Sequence, residues 1–193
     1  MEKWMKILLI SLAVLIVIGG VIWAVYYFNS DAYKIKNAES FWNKTVSDAI
    51  KQKDSSICEK MDDEKLRNYF SPRFACYINV ARSLKDSSIC EQSNEPNTCY
   101  VEIVSELKDK SICEKIINLD IKLDIKSECY DRLARATLDE SFCNLITSNY
   151  LKMEGFDLVD NCLLDIAIKK KDKSICEKIN DTFFKKTCLS NFN

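Results

Sequence analysis

A six-residue phrase that occurs five times constrains this chain more than any other feature of its sequence. Each copy reads Asp-x-Ser-x-Cys-x, and the copies begin at Asp54, Asp86, Asp109, Asp139 and Asp172. The phrase cysteines are half of the ten cysteines, and each of the other five, here called helix cysteines, follows one copy. Four helix cysteines stand fourteen residues before the next phrase cysteine, at 76 and 90, 99 and 113, 129 and 143, and 162 and 176. Self-similarity at intervals of about thirty residues is typical of a helical repeat array.

Residues that break helices are scarce. The 193 residues include three Gly and two Pro, and much of the remainder is Ile, Leu, Lys and Glu, so the chain is expected to be mostly helical. We therefore predict an all-α fold, in which an N-terminal transmembrane helix precedes an α-solenoid-like array of about five disulfide-tied helical hairpins.

The transmembrane helix is predicted from residues 7–28, which carry no charged side chain. At ~1.5 Å per residue this run spans about 33 Å, enough to cross a hydrocarbon core of roughly 30 Å. The chain would contact the lipid bilayer through this run. Gly20 and Ala24 form a small-x-x-x-small pattern within it, through which the chain could form an oligomer by helix pairing.

The cysteines indicate the compartment of the remaining chain. Ten cysteines at ordered spacings are typical of an oxidising compartment. We predict a single-pass protein of the cell membrane, with a cytoplasmic N-terminus and an extracytoplasmic C-terminal domain. Its parts would be a cytoplasmic tail at 1–6, the span at 7–28, a helical juxtamembrane segment at 29–40 and a cysteine-paired repeat domain at 41–193.

Each repeat is predicted to contain a long and a short helix. Apolar residues recur at helical spacing from each helix cysteine, as in Cys76, Tyr77, Val80 and Ala81, and the stripe fades at Thr137 and Lys170 in later repeats. The short helix, of about two turns, would begin at the phrase. The first repeat lacks a helix cysteine, which suits an atypical capping repeat beside the membrane. Its stripe is formed by Phe41, Trp42, Val46, Ala49 and Ile50.

The phrase carries the residues that start a helix. Asp and Ser are favourable N-caps, and Ser followed three residues later by Glu fits a capping box in four of the copies. The predicted helix caps are Asp54, Asp86, Asp109, Asp139, Asp172, Ser56, Ser88, Ser111, Ser141 and Ser174.

Geometry distinguishes two schemes of cysteine pairing. A bridge across the fourteen-residue interval would join a point about 12 Å down the long helix to one only ~5 Å along the short helix, too far for Cα atoms that must lie roughly 5 to 6 Å apart. That scheme also leaves two cysteines without partners. Linking each phrase cysteine to the next helix cysteine uses all ten. The predicted disulfides are therefore Cys58–Cys76, Cys90–Cys99, Cys113–Cys129, Cys143–Cys162 and Cys176–Cys188.

The composition argues against most catalytic and cofactor chemistry. The chain has no histidine, and no two cysteines stand in a C-x-x-C arrangement. Gly155 is the only glycine outside the apolar run, so a glycine-rich phosphate loop is excluded. The phrase aspartates lack the spacing of a calcium loop. We predict no catalytic residue, no cofactor site and no metal site.

The tyrosines, two glycosylation patterns and the net charge allow a structural as well as a functional interpretation. Tyr77, Tyr100 and Tyr130 follow helix cysteines and are expected in the core between repeats, with a ligand groove as the alternative. Asn43 and Asn180 begin N-glycosylation acceptor patterns, which matter only in an exported chain. Beyond the apolar run the chain has 26 basic and 28 acidic residues, a net charge of −2, so no basic patch and no nucleic-acid partner are expected.

The combination of D-x-S-x-C-x-x-I, a Cys-Tyr pair that opens the next helix, an alanine five residues after that cysteine and one N-terminal span resembles a group of uncharacterised, membrane-anchored archaeal proteins. The resemblance covers residues 54–188. It implies the repeat architecture and no activity.

Stacked helical repeats form extended surfaces suited to binding proteins. We therefore predict a membrane-anchored, non-catalytic scaffold that binds another envelope or extracellular protein. A thiol–disulfide exchange enzyme, or a subunit of one, is the first alternative. A ligand-binding receptor ectodomain is the second.

Overall fold

The computed structural model describes residues 2–29, 31–61, 71–117, 124–147 and 157–192. Over these ranges the regular secondary structure is helical and contains no strand. The all-α prediction is therefore confirmed for the part of the chain that the structure describes.

Seven longer helices run through the described ranges. Two precede the first phrase, α1 and α2, and each of the others carries one helix cysteine. Their bounds are Glu2–Asn29 (α1), Asp31–Gln52 (α2), Pro72–Leu84 (α3), Pro96–Leu107 (α4), Ile125–Thr137 (α6), Leu158–Lys170 (α7) and Thr182–Ser190 (α8). Helices α6 and α7 end at Thr137 and Lys170, where the apolar stripe fades in the sequence.

The five copies of the phrase form short helices, four of them 3₁₀ helices. Their bounds are Ser55–Lys60 (η1), Ser87–Gln92 (η2), Lys110–Glu114 (α5), Glu140–Leu145 (η3) and Lys173–Lys178 (η4). Four of them have six residues, which is about two turns of a 3₁₀ helix, as predicted, but they are wound more tightly than the expected α-helices. A 3₁₀ helix is used in such short pieces, often as a connector.

A left-handed residue turns the chain between each long helix and the short helix that follows. Lys85 has φ 54° and ψ 39°, and its N–H donates to the Ala81 and Arg82 carbonyls. In the next residue, the N–H of Asp86 donates to the Ala81 carbonyl at 3.0 Å, the six-residue closure of a Schellman motif. The same left-handed conformation occurs at all five turns, at Lys53, Lys85, Lys108, Leu138 and Lys171.

The long and short helices form a regular array. From α2 to α8 each long helix packs against the next long helix, and each short helix contacts the long helix before it and the long helix after it. We call a long helix with its following short helix a unit. A short helix therefore bridges two units.

The predicted apolar stripe forms the core of the array. In each of the long helices α3, α4, α6 and α7 the helix cysteine and the residues four and five positions later are fully buried, as with Cys76, Val80 and Ala81 at 0% exposure. In the first unit Val46 and Ala49 are buried and Trp42 and Ile50 pack against the core, but Phe41 remains 46% exposed.

The predicted transmembrane helix at residues 7–28 is wrong. A crossing needs about 20 consecutive, predominantly apolar residues in one helix. Within the described ranges, no helix combines the length and the apolar character that a crossing requires. The single-pass topology and the cell-membrane localisation depended on that span and are corrected with it.

The left-handed turns predict how substitutions change stability. Lys85 is exposed, so Lys85→Gly should raise the melting temperature slightly, because glycine adopts positive φ without the Cβ conflict that costs about 1 kcal/mol. Lys85→Val should lower it, because a β-branched residue fits this conformation worst. Thermal denaturation followed by circular dichroism compares the two variants. Equal melting temperatures would show that the turn imposes no conformational demand.

Candidate functional site

Five disulfides join the units of the array. They connect Cys58–Cys76, Cys90–Cys99, Cys113–Cys129, Cys143–Cys162 and Cys176–Cys188, the five pairs that the spacing predicts. Their Cα–Cα distances lie between 5.5 and 5.9 Å. Each bridge runs from a short helix to the long helix of the next unit. Successive units are therefore linked covalently.

The sulfur atoms lie in the core of these junctions. All ten cysteines have 0% exposure, and none is free. Thiol–disulfide exchange requires a thiolate to approach one sulfur of the bridge. The folded chain closes that approach at every bridge. Disulfides form and persist in oxidising environments, so these five bridges agree with the compartment that the cysteine spacing predicts.

The phrase aspartates are the N-caps of the short helices. Each accepts the backbone N–H of the residue two positions later, as Asp54 does from Ser56 at 3.0 Å. In three copies the serine hydroxyl also donates to the same oxygen; the serines that do so are Ser56, Ser88 and Ser174. These bonds, the serine hydroxyl first, lower the pKa of three cap carboxyls, those of Asp54, Asp86 and Asp172.

The phrase serines were also predicted as caps, and here the structure differs. Ser56 is the second residue of η1 and donates to Asp54. Ser111 and Ser141 likewise offer their backbone N–H groups to the aspartate two residues before. The aspartate immediately precedes the first helical residue, and its carboxylate accepts the N–H two residues further on, so the aspartate is the N-cap.

Tyrosines reinforce two of the disulfide junctions. The hydroxyl of Tyr77, 1% exposed, donates to Glu59 Oε1 at 2.5 Å, and the hydroxyl of Tyr100 donates to Glu91 Oε1 at 3.4 Å. Each glutamate directly follows the phrase cysteine of the bridge beside it. Burial, and then the neighbouring carboxylate, raise the pKa of both tyrosines. Tyr130 is also buried. The expected core position of the three tyrosines is confirmed.

A second tie, found in three of the units, escaped the sequence analysis. In α4, α6 and α7 the residue two positions before the helix cysteine bonds the backbone twenty residues further on, just after the next short helix. Asn97 exchanges two hydrogen bonds with the backbone of Ile117, and Ser127 Oγ accepts the N–H of Thr147 at 2.9 Å.

The third of these ties is made by a buried carboxylate. Asp160, 2% exposed, accepts the N–H of Asn180 at 3.0 Å and that of Asp181 at 2.7 Å. Asn, Ser and Asp each form this backbone hydrogen bond in different units, so no single residue type identifies the position in the sequence. The constant interval before the helix cysteine is the signal that could have found it.

Ion pairs cross between long helices at a regular position. Arg82, six residues after its helix cysteine, pairs with Glu102, three residues after the next one, at 3.4 Å. Arg135 pairs with Asp165 in the same register. Partly exposed pairs of this kind contribute about 0–1 kcal/mol each. Their regular position shows that consecutive units pack in the same register, but the pairs themselves add little to the stability of that packing.

The short helices are also bonded to one another. Ser55 Oγ donates to Gln92 Oε1 at 2.8 Å, which connects η1 to η2. Glu140 in η3 accepts from Lys178 in η4 at 3.2 Å and from Lys170 in α7 at 3.0 Å. Its own backbone N–H and then the two lysines lower the pKa of Glu140 to about 2.

Within the described part of the chain, no cluster of three or more His, Cys, Asp or Glu side chains could hold a metal ion. The arrangement instead holds helices in register through bridges, caps and backbone ties.

Comparisons with protein-family models, with curated proteins and with solved structures found no match to this chain. The resemblance to membrane-anchored archaeal proteins therefore stays a prediction.

The tie at Asp160 can be tested by substitution. Asp160→Ala should leave two backbone N–H groups without an acceptor at the start of α8 and lower the free energy of unfolding by about 2–4 kcal/mol. Asp160→Asn should lose about half as much, because its amide oxygen accepts from one of the two N–H groups while its NH2 group faces the other. Hydrogen exchange at the amides of Asn180 and Asp181 checks the cause. Unchanged protection in Asp160→Ala would contradict it.

The lowered pKa of Glu140 predicts that the stability of the fold depends on pH. Its folded pKa of about 2 lies below its ordinary value of 4.5, so its contribution is fully present above pH 4.5 and is lost as the pH falls towards 2. The melting temperatures of the wild type and Glu140→Gln should differ at pH 6 and converge near pH 2. Glu114→Gln, which removes a single exposed pair with Lys110, is the matched control. A difference that stays constant over this pH range would refute the assignment.

Proposed function

We propose that this chain is a non-catalytic, disulfide-tied helical-repeat scaffold that binds another protein in an oxidising environment. The observation that carries the proposal is the complete burial of all five disulfides at the junctions between units.

Buried bridges suit a structural role. A disulfide stabilises a fold chiefly by restricting the unfolded chain, by about 2–4 kcal/mol for loops of this size, although the origin of that gain depends on the physical description used. The short helices here have five or six residues, too few to be stable in water alone. Bridging each of them to the next long helix gives every unit a fixed position relative to its neighbours.

A fixed series of units suits protein binding. Repeats that contact only their neighbours build extended surfaces whose shape is set by the rotation from one unit to the next. In this chain the bridge, the ion pairs between long helices and the bonds between short helices all act between consecutive units. A surface held in this way loses little conformational entropy when a partner binds.

The same burial weighs against thiol–disulfide exchange. An exchanging bridge presents a sulfur that another thiolate reaches, and it is often strained or exposed. The bridges described here are enclosed by helices on both sides.

Reactivity of the bridges tests the structural role directly. In the folded chain, millimolar dithiothreitol should leave the disulfides intact for hours, whereas the same reductant in guanidinium should release ten thiols. Quantification with a thiol reagent and mass spectrometry measures both. Insulin reduction by the chain with glutathione should equal the rate without the chain. One bridge that reduces rapidly under native conditions, with turnover of insulin, would show an exchange enzyme.

Binding needs its own experiment. Photo-crosslinking in cells, followed by purification of the captured protein, should give a complex that reforms from the two pure components. The reduced and alkylated chain should lose this binding, because its units are no longer held together. If the pure components fail to associate, the scaffold proposal is wrong.

A further inference from the structure

The five bridges follow the order of the cysteines along the chain. Each phrase cysteine is joined to the next cysteine in the sequence, and no other cysteine lies between the two partners of any bridge. The partners are separated by 9 to 19 residues. Followed from the N-terminus, each pair is therefore complete before the next phrase cysteine is reached.

The bridges cannot be made in the folded array. All ten cysteines have 0% exposure, whereas an oxidant must bring one of its own sulfur atoms to a cysteine thiolate. Nor does the short helix exist first, because the six residues of η2 are too few to stay helical in water without support. The bridges therefore form before the units have packed.

Loop length does not select the correct partner at that stage. Cys90 closes a loop of 9 residues with Cys99 in the structure, but it could also close one of 14 residues with Cys76. Over all five bridges, the probabilities of closing the observed and the competing 14-residue loops differ by less than about a factor of two. The long helices would hold the competing pair apart, but α3 and α4, with 13 and 12 residues, are themselves marginal alone in water.

The order of arrival does distinguish the partners. Chains are made and exported from the N-terminus, so the cysteines enter an oxidising compartment one at a time. If Cys58 and Cys76 are already joined when Cys90 arrives, Cys90 has no free thiol to meet until Cys99 follows. Each later pair is matched in the same way.

We propose that the five bridges form one after another as the chain enters an oxidising compartment, through a dithiol oxidase, a protein that gives up its own disulfide to each pair as it arrives. No disulfide isomerase is then required. This rests on the oxidising environment of the proposed function, and it does not depend on the binding of a protein partner by the array.

The exchange balances in two steps. The thiolate of Cys90 attacks the disulfide of the oxidase, so that a bond forms between Cys90 and one oxidase sulfur while the S–S bond of the oxidase breaks. The thiolate of Cys99 then attacks the Cys90 sulfur and releases the oxidase sulfur. The pair has lost two electrons and two protons, which the oxidase holds as a dithiol. Packing then buries the new bridge and prevents the reverse attack.

Removal of one phrase cysteine tests the order of arrival. In Cys90→Ala, Cys99 arrives without a partner and should be joined to Cys113, at least about threefold more often than Cys113 is joined to Cys129, although loop lengths alone would make the two bridges nearly equal. The Cys58–Cys76 bridge, which forms earlier, should be unchanged in the same chains.

The matched control removes the last phrase cysteine. In Cys176→Ala, four bridges should form as in the wild type, and Cys188 should remain a free thiol. Each full chain is exported behind a cleavable leader into a compartment that holds a dithiol oxidase and no isomerase. Free thiols are blocked by alkylation shortly after synthesis, and the linked peptides are identified by mass spectrometry.

Pairing directed by packing would give a different result. Cys90→Ala would then keep the other four bridges of the structure and leave Cys99 free, which would overturn the proposal. The wild type provides a measurement that does not depend on a variant. After pulse labelling, Cys58–Cys76 should appear before Cys176–Cys188. A first bridge between Cys76 and Cys90 that is later exchanged, or a requirement for an isomerase, would also overturn the proposal.

Oxidation of all ten thiols at once removes the order of arrival. When the reduced full-length chain is oxidised in guanidinium, the 14-residue bridges should form within about threefold of the bridges found in the structure. Exclusive formation of the five bridges under these conditions would show that the local sequence selects the partners, and the proposal would be wrong. None of these outcomes bears on protein binding, which the crosslinking experiment measures separately.

Discussion

The bridge from each short helix to the next long helix is the bond on which the rest of this structure depends. A short helix of five or six residues makes too few hydrogen bonds to offset the entropy of ordering it. The disulfide, 0% exposed at both ends, places that helix against two long helices at once. The phrase aspartate can then cap it, and Tyr77 can reach Glu59 across the junction.

The two ends of the array differ from its interior in the same physical way. Lys44 occupies the position of the helix cysteine in the first unit, and among the described residues no short helix precedes it to form a bridge. In α8, Lys186 and Ser190 are exposed at the positions that Asp160 and Leu164, both buried, occupy in α7. Polar end faces keep repeat arrays soluble, since an uncovered apolar face would pair with another molecule.

Much of this site could be predicted because disulfides and helices obey strict distances. The fourteen-residue interval is too long across a helical hairpin for a bridge, which left the pairing of neighbours that the structure contains. The identity of the helix cap and the backbone tie were harder to predict from the sequence. Both Asp54 and Ser56 suit an N-cap, and only the position of the first turn decides between them. The tie uses Asn97, Ser127 and Asp160, whose shared role appears only when the backbone twenty residues on is brought beside them.

The membrane span shows the opposite case, in which a run of apolar residues at 7–28 suggested a helix property that the described helices do not have. By itself, the sequence determined the helical class, the repeat and the cysteine pairs, because these follow from local periodicity and bond geometry. Only the tertiary structure decided that the bridges are buried, that Tyr77 and Tyr100 bond glutamates, and that Ser127 bonds the backbone twenty residues on. Burial and electrostatic environment depend on which units lie side by side, and no local pattern contains that information.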